Sequence, residues 1–120
     1  MKLLKFLILL FGATGLAMVL ADTGALQAGF EHAPLHSGLI VLGWAAPVAM
    51  GVLAIVRPPL QAWQASAALA GFAVVAIRIR IWKALPSFGD APIEGQIGLV
   101  VLICGLVTSG LAVAKPEGGA

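Results

Sequence analysis

The chain has 120 residues, of which 61% are hydrophobic and 10% are charged, and its formal net charge is +2. Soluble domains carry about 25% charged residues, so this chain lacks the polar surface that a water-soluble globule needs. Its basic residues form no face with interleaved aromatic residues, which gives no support for nucleic-acid binding. The single cysteine, Cys104, lies in an apolar run, which excludes an intrachain disulfide and CxxC redox chemistry.

Four apolar segments are each long enough to cross a bilayer, for which a helix needs about 20 residues. None of them has an Asp or Glu in its interior, and they cover residues 3–21, 37–56, 60–81 and 97–114. We therefore predict an all-α membrane protein with four transmembrane helices. The whole chain, residues 1–120, forms one domain with a short polar tail at 115–120.

The chain nearly repeats itself at an offset of 58 residues. The segment FEHAPLH at 30–36 returns as FGDAPIE at 88–94, and Arg57-Pro58 returns as Lys115-Pro116. Chance similarity between apolar helices does not easily explain shared prolines at one offset. We interpret residues 1–58 and 59–116 as duplicated helical hairpins, related by a pseudo-twofold axis along the membrane normal. Each proline marks a helix start, because proline is favoured in the first helical turn.

The orientation in the membrane follows from the basic residues. The first span resembles a secretory signal, with Lys2 and Lys5 before the apolar core and a small-residue site at 19–21, but we expect it to be kept as a signal-anchor. With the amino terminus inside, four basic residues are inside and three outside, which predicts cytoplasmic termini in a bacterial inner membrane. So small a bias also leaves insertion in both orientations as an alternative.

The third span contains an arginine near its outer end. Trp63 and Trp82 are 19 residues apart, or about 28 Å along a helix, and predict one interface each. Arg78 then lies one turn inside the outer interface, where an arginine must snorkel or pair with an acid. We predict an ion pair between Arg78 and Asp22, at the outer end of the first span.

Small residues recur at four-residue spacing in all four spans, which lets helices approach closely in lipid. They are Ala13, Ala17 and Ala21; Gly43, Pro47 and Gly51; Ala67 and Gly71; and Gly105 and Ser109. We also expect Pro47 to kink its span and to free the Gly43 carbonyl, as a packing feature or as a functional hinge.

The repeated phrase carries the only two histidines, His32 and His36, and places Asp90 and Glu94 at the matching positions of the second copy. The pseudo-twofold axis would bring both pairs together at the outer surface. Two imidazoles and two carboxylates suit zinc or a similar divalent ion. The alternatives are ordinary helix-start charges with interfacial histidines, or a His36–Glu94 ion pair that makes the outer end sensitive to pH. Apart from this metal hypothesis, we predict no cofactor.

The sequence has no phosphate loop, no GxSxG or HExxH motif and no acidic pair inside a span, so we do not expect an enzyme. We expect a non-catalytic subunit, assembly factor or scaffold, whose partners are the lipid bilayer and other membrane subunits or copies of itself. One alternative is a homo-oligomeric transporter or channel for small solutes or ions, although the spans lack the ionisable residues of most ion paths. Another is a metal- or pH-responsive membrane protein that uses the outer cluster.

Overall fold

A computed structural model describes residues 3–21, 23–58 and 60–114, and within these ranges the secondary structure is entirely helical. The elements are α1 (Leu4–Ala21), α2 (Thr23–His32), α3 (Pro34–Val56), α4 (Ala62–Arg78), α5 (Ile81–Ala84), a 3₁₀ helix (Leu85–Asp90) and α6 (Ile93–Ala114). Three of these helices, α1, α3 and α6, are long and apolar enough to cross a membrane. The bent pair formed by α4 and the segment after it makes a fourth candidate span.

The third span differs from the single helix predicted over 60–81. It ends at Arg78, and the chain bends by 56° into the segment Ile81–Asp90. Arg80 sits at the bend with φ of 56° and ψ of 62°, in the left-handed region that crowds the Cβ of any residue except glycine. The bend falls where the apolar run gives way to basic residues, and Arg80 and Lys83 are both exposed after it.

The four long helices form a closed ring in which each packs against two neighbours. Helix α1 packs against α3 and α6, and α4 packs against the same two helices. Helices α1 and α4 therefore occupy opposite corners of the ring. The second helix, α2, lies against α3 and the end of α1.

The stretch between the first two predicted spans contains a helix, α2, that the sequence analysis does not predict. Helix α2 covers ten residues and includes two glycines, so helix propensity does not predict it. Packing against α3 stabilises α2 instead. A Cβ at Gly29 would lie 2.5 Å from the Ser37 Oγ, and the Phe30 ring lies beside Gly38.

The predicted helix starts at the repeated phrase are confirmed. Pro34 is the first residue of α3, and Pro92 directly precedes Ile93, the first residue of α6. The carboxyl ends of the two helices also match each other. Helix α3 ends at Val56 and α6 at Ala114, and in the sequence each is followed directly by a basic residue and a proline.

Two aromatic side chains fill the centre of the four-helix bundle. Trp44 and Phe72 meet edge to face, with ring centroids 5.9 Å apart and planes at 85°. Each ring covers a glycine of a neighbouring helix, Trp44 at Gly15 and Phe72 at Gly105. Glycine is required at both places because an added Cβ would collide with the ring.

Candidate functional site

An open cavity of about 530 Å³ lies among the helices at the end of the bundle that carries α2. Its apolar wall includes Met18, Val19, Leu26, Ile40, Val75 and Leu99, with Trp44 also lining it. The polar side chains in the lining are His36, Ser37 and Glu94. A mostly apolar cavity of this size with a few polar groups has the general form of a small-molecule site.

Glycines of α6 leave the space open. A Cβ at Gly98 would have only the Met18 Cε within 4 Å, at 3.9 Å, and one at Gly95 would come no closer than 3.7 Å to any atom outside its own helix backbone. Gly15 has the opposite role, because it lets the Trp44 indole pack directly on α1. The cavity is thus bounded by a tightly packed aromatic ring and left unfilled on the α6 side.

His36 and Glu94 belong to the first turns of α3 and α6 and line the same cavity. His36 is half-buried and Glu94 is exposed. His36 and Glu94 form no ion pair with each other, and no other ion pair is found among the residues that the structure describes. The His36–Glu94 ion pair therefore stays a prediction.

The other two residues of the predicted metal cluster lie nearby but outside this cavity. His32 is the exposed last residue of α2. Asp90 lines a smaller adjoining cavity of about 350 Å³, which shares Ile79, Gly95 and Leu99 with the first. Over residues 3–21, 23–58 and 60–114, no three His, Cys, Asp or Glu side chains are grouped so that they could hold a metal ion. The four-residue zinc site stays a prediction.

Arg78 is half-buried at the end of α4. Its predicted partner, Asp22, lies outside the described residues, so the Arg78–Asp22 ion pair stays a prediction. No acidic side chain in the described ranges pairs with Arg78.

The small residues fall into two groups. Those of α3 and α6 are buried and pack on neighbouring helices, as predicted; they are Gly43, Pro47, Gly51, Gly105 and Ser109. In α4, Gly71 is buried and Ala67 half-buried. Ala13, Ala17 and Ala21 are instead exposed along the outside of α1. We call these three residues the α1 small face.

The α1 small face adjoins large exposed side chains of the same helix, namely Leu3, Phe6, Leu10 and Leu20 of the segment that leads into and forms α1. The outer surfaces of the other helices vary. On α6 most exposed side chains are large and apolar: Ile93, Ile97, Val100, Ile103, Val107 and Leu111. On α4, at the opposite corner from α1, the exposed residues include the small Ser66 and Ala70.

The repeated phrase predicts His36 and Glu94 at equivalent helix starts but does not predict the cavity. The available signal was the pair of glycines, Gly95 and Gly98, directly after the repeated phrase. No protein-family model, no curated protein and no solved structure matches this chain.

Proposed function

We propose that this chain is a four-span integral membrane protein that acts without catalysis, as a subunit, assembly factor or scaffold of a membrane complex. The observation that carries the proposal is the exposure of the α1 small face on a helix apolar enough to span a membrane.

The argument rests on what stabilises helix contacts in lipid. Lipid tails are as apolar as leucine, so helices associate there through close packing, which small residues at four-residue spacing allow. An alanine stripe gains little by facing acyl chains, whereas a second helix can approach its backbone closely. The bulky outer surface of α6, with Val107 at its centre, suits acyl chains better.

We also propose that the fold arose by duplication of a helical hairpin. At the 58-residue offset, the start of α1 corresponds to the start of α4, and the α2 bounds correspond to the segment Ile81–Asp90. Buried positions correspond as well: Trp44 with Leu102, Pro47 with Gly105, Gly51 with Ser109, and Ala54 with Ala112. The match in burial is confined to α3 and α6, because at the same offset the exposed Ala13 and Ala17 of α1 correspond to the buried Gly71 and Val75 of α4.

For the location we propose the bacterial inner membrane, with both termini cytoplasmic and the cavity on the outer side. The support is the distribution of basic residues under the positive-inside rule. In a Cys104→Ala background, cysteines at Ala28 and Gly89, which are both exposed, should react with an impermeant maleimide added outside. Labelling of either position only from the cytoplasmic side would contradict this topology.

Two alternative functions, a transporter or channel and a metal- or pH-responsive protein, remain consistent with particular features of the bundle. A transporter or channel would have to form its path between chains, because Trp44 and Phe72 fill the centre of a single bundle. A metal- or pH-responsive role is favoured by the placement of His36 and Glu94 on one cavity.

Purification in mild detergent, followed by native mass spectrometry, tests the proposal. We expect the chain to co-purify with another membrane protein in fixed stoichiometry, and an Ala13→Leu/Ala17→Leu variant to lose that partner. A Val107→Leu variant is the matched control and should retain it. A homo-oligomer without other proteins would favour the transporter, and a lone monomer would contradict the proposal.

A further inference from the structure

The cavity between α1, α3, α4 and α6 has an apolar interior and one carboxylate. Among the described residues of its lining, Glu94 is the only acidic one, and none is a Lys or Arg. Among the residues the structure describes, no basic side chain forms an ion pair with Glu94. Within the described part of the lining, the Glu94 carboxylate therefore has no basic counterpart, and the other polar side chains are the His36 imidazole and the Ser37 hydroxyl.

We propose that this cavity binds a lipophilic amine, a small molecule with an apolar body and a cationic ammonium head. The Glu94 carboxylate accepts a charge-assisted hydrogen bond from the ammonium, which is about twice as strong as a bond between neutral groups. The apolar body lies between Met18, Leu99 and the indole of Trp44, which all line the cavity. This inference is independent of the proposed subunit role.

The charge of the lining and the volume of the cavity indicate which class of ligand it can bind. An anionic head, such as that of a fatty acid, would be repelled by Glu94 and would meet no basic side chain among the described lining residues. A wholly apolar molecule would leave the three polar side chains without partners. At about 530 Å³ the cavity falls within the range of sites for drug-sized molecules, about 300–1,000 Å³.

Trp44 supplies an internal reporter for a binding experiment. It lines the cavity, whereas the other two tryptophans, Trp63 and Trp82, are exposed. A Trp63→Phe/Trp82→Phe chain, reconstituted in phosphatidylcholine vesicles, therefore emits from Trp44 alone. The probe is para-bromophenethylamine, whose bromine quenches indole fluorescence on contact, and the matched neutral probe is para-bromophenethyl alcohol.

We expect saturable quenching by the amine, with an affinity about tenfold higher than that for the alcohol, as the loss of a charged hydrogen bond implies. Glu94→Gln should lower the amine affinity by about the same factor. The control is Glu31→Gln, which changes an exposed carboxylate of α2 outside the cavity lining and should have no effect.

A second variant fills the cavity without touching the charge. Gly98→Leu places a side chain where a Cβ meets only Met18 at 3.9 Å, so it should fold and abolish saturable quenching by both probes. Circular dichroism verifies that each variant is folded. Quenching that grows linearly with probe concentration, that is equal for amine and alcohol, or that persists unchanged in Glu94→Gln overturns the proposal, whether or not Gly98→Leu folds.

Discussion

Gly43 and Gly71 face each other where α3 packs against α4. A Cβ at Gly43 would lie 2.8 Å from the Gly71 carbonyl oxygen, and a Cβ at Gly71 would lie 2.6 Å from the Gly43 carbonyl oxygen. Pro47 has no N–H to donate to the Gly43 carbonyl, and its Cδ also lies 2.9 Å from the Cβ position of Gly71. The carbonyl that proline frees is therefore placed against the neighbouring backbone. Helix α3 is continuous through Pro47, and the contact of this proline with Gly71 favours the packing role over the hinge.

Substitution of Gly71 by alanine should destabilise the protein by about 1–3 kcal/mol, the usual cost of overpacking. The reason is that backbone and proline atoms surround the new methyl group and cannot move independently. The measurement is the free energy of unfolding in mixed micelles. Gly110→Ala is the control, since no atom lies within 4 Å of its Cβ position, and it should be neutral or stabilising by up to about 1 kcal/mol. Equal stability of the two variants would contradict the close packing.

Removal of the Ser109 hydroxyl should raise stability by about 1 kcal/mol. Ser109 is fully buried and its Oγ has no hydrogen-bond partner among the described residues. An unsatisfied buried polar group costs about 1–3 kcal/mol. The same unfolding assay applies to Ser109→Ala, with Ser66→Ala, an exposed serine of α4, as the neutral control. A loss of stability in Ser109→Ala alone would show that the hydroxyl has a partner that stabilises the fold.

The apolar spans and the helix starts could be predicted from the sequence, because both depend on local composition. The ends of α3 and α6 at Val56 and Ala114 agree with the predicted spans, since an apolar run of bilayer length has few alternatives to a helix. The prolines of the repeated phrase likewise indicated where both helices begin, because the fixed φ of proline suits a first turn.

Helix α2, the bend at Arg80 and the cavity depend on tertiary contacts and could not be predicted from the sequence. Helix α2 depends on Gly29 packing against Ser37, and neither residue favours a helix by itself. The bend at Arg80 occurs without a glycine or proline between residues 78 and 84, so neither of the usual helix breakers marks it. The cavity depends on which neighbour faces Gly98, and a sequence does not show that before the helices are arranged.

The predicted Arg78–Asp22 ion pair can be tested by charge exchange. Arg78→Asp alone should lower the yield of folded protein, because it leaves two acids near each other at the outer interface. The double variant Arg78→Asp/Asp22→Arg restores opposite charges and should recover most of that yield, measured as the monodisperse fraction after detergent extraction. Equal losses in the single and double variants would count against the pair. An unpaired arginine costs about 3 kcal/mol at the centre of a span on insertion scales, and less near the interface, where its side chain can snorkel.

Metal analysis of the purified protein tests the predicted zinc site of His32, His36, Asp90 and Glu94. We expect protein purified without added metal to contain no stoichiometric zinc, and His32→Ala/His36→Ala to have the same melting temperature as the parent with and without zinc. The physical reason is that His32 is exposed at the end of α2 while Asp90 lines a different cavity from His36. Bound zinc, or stabilisation by zinc that the double variant loses, would instead establish the metal-responsive alternative.

The most direct test of the central claim is photocrosslinking from the α1 small face in intact cells. A benzoylphenylalanine at Ala17 lies on the exposed stripe of α1, whereas one at Val107 lies on the bulky outer surface of α6. If a partner helix covers the α1 small face, Ala17 yields a discrete crosslink to a membrane protein and Val107 yields little beyond lipid adducts. Lipid adducts alone from Ala17, or equal protein crosslinking from both positions, would contradict the account.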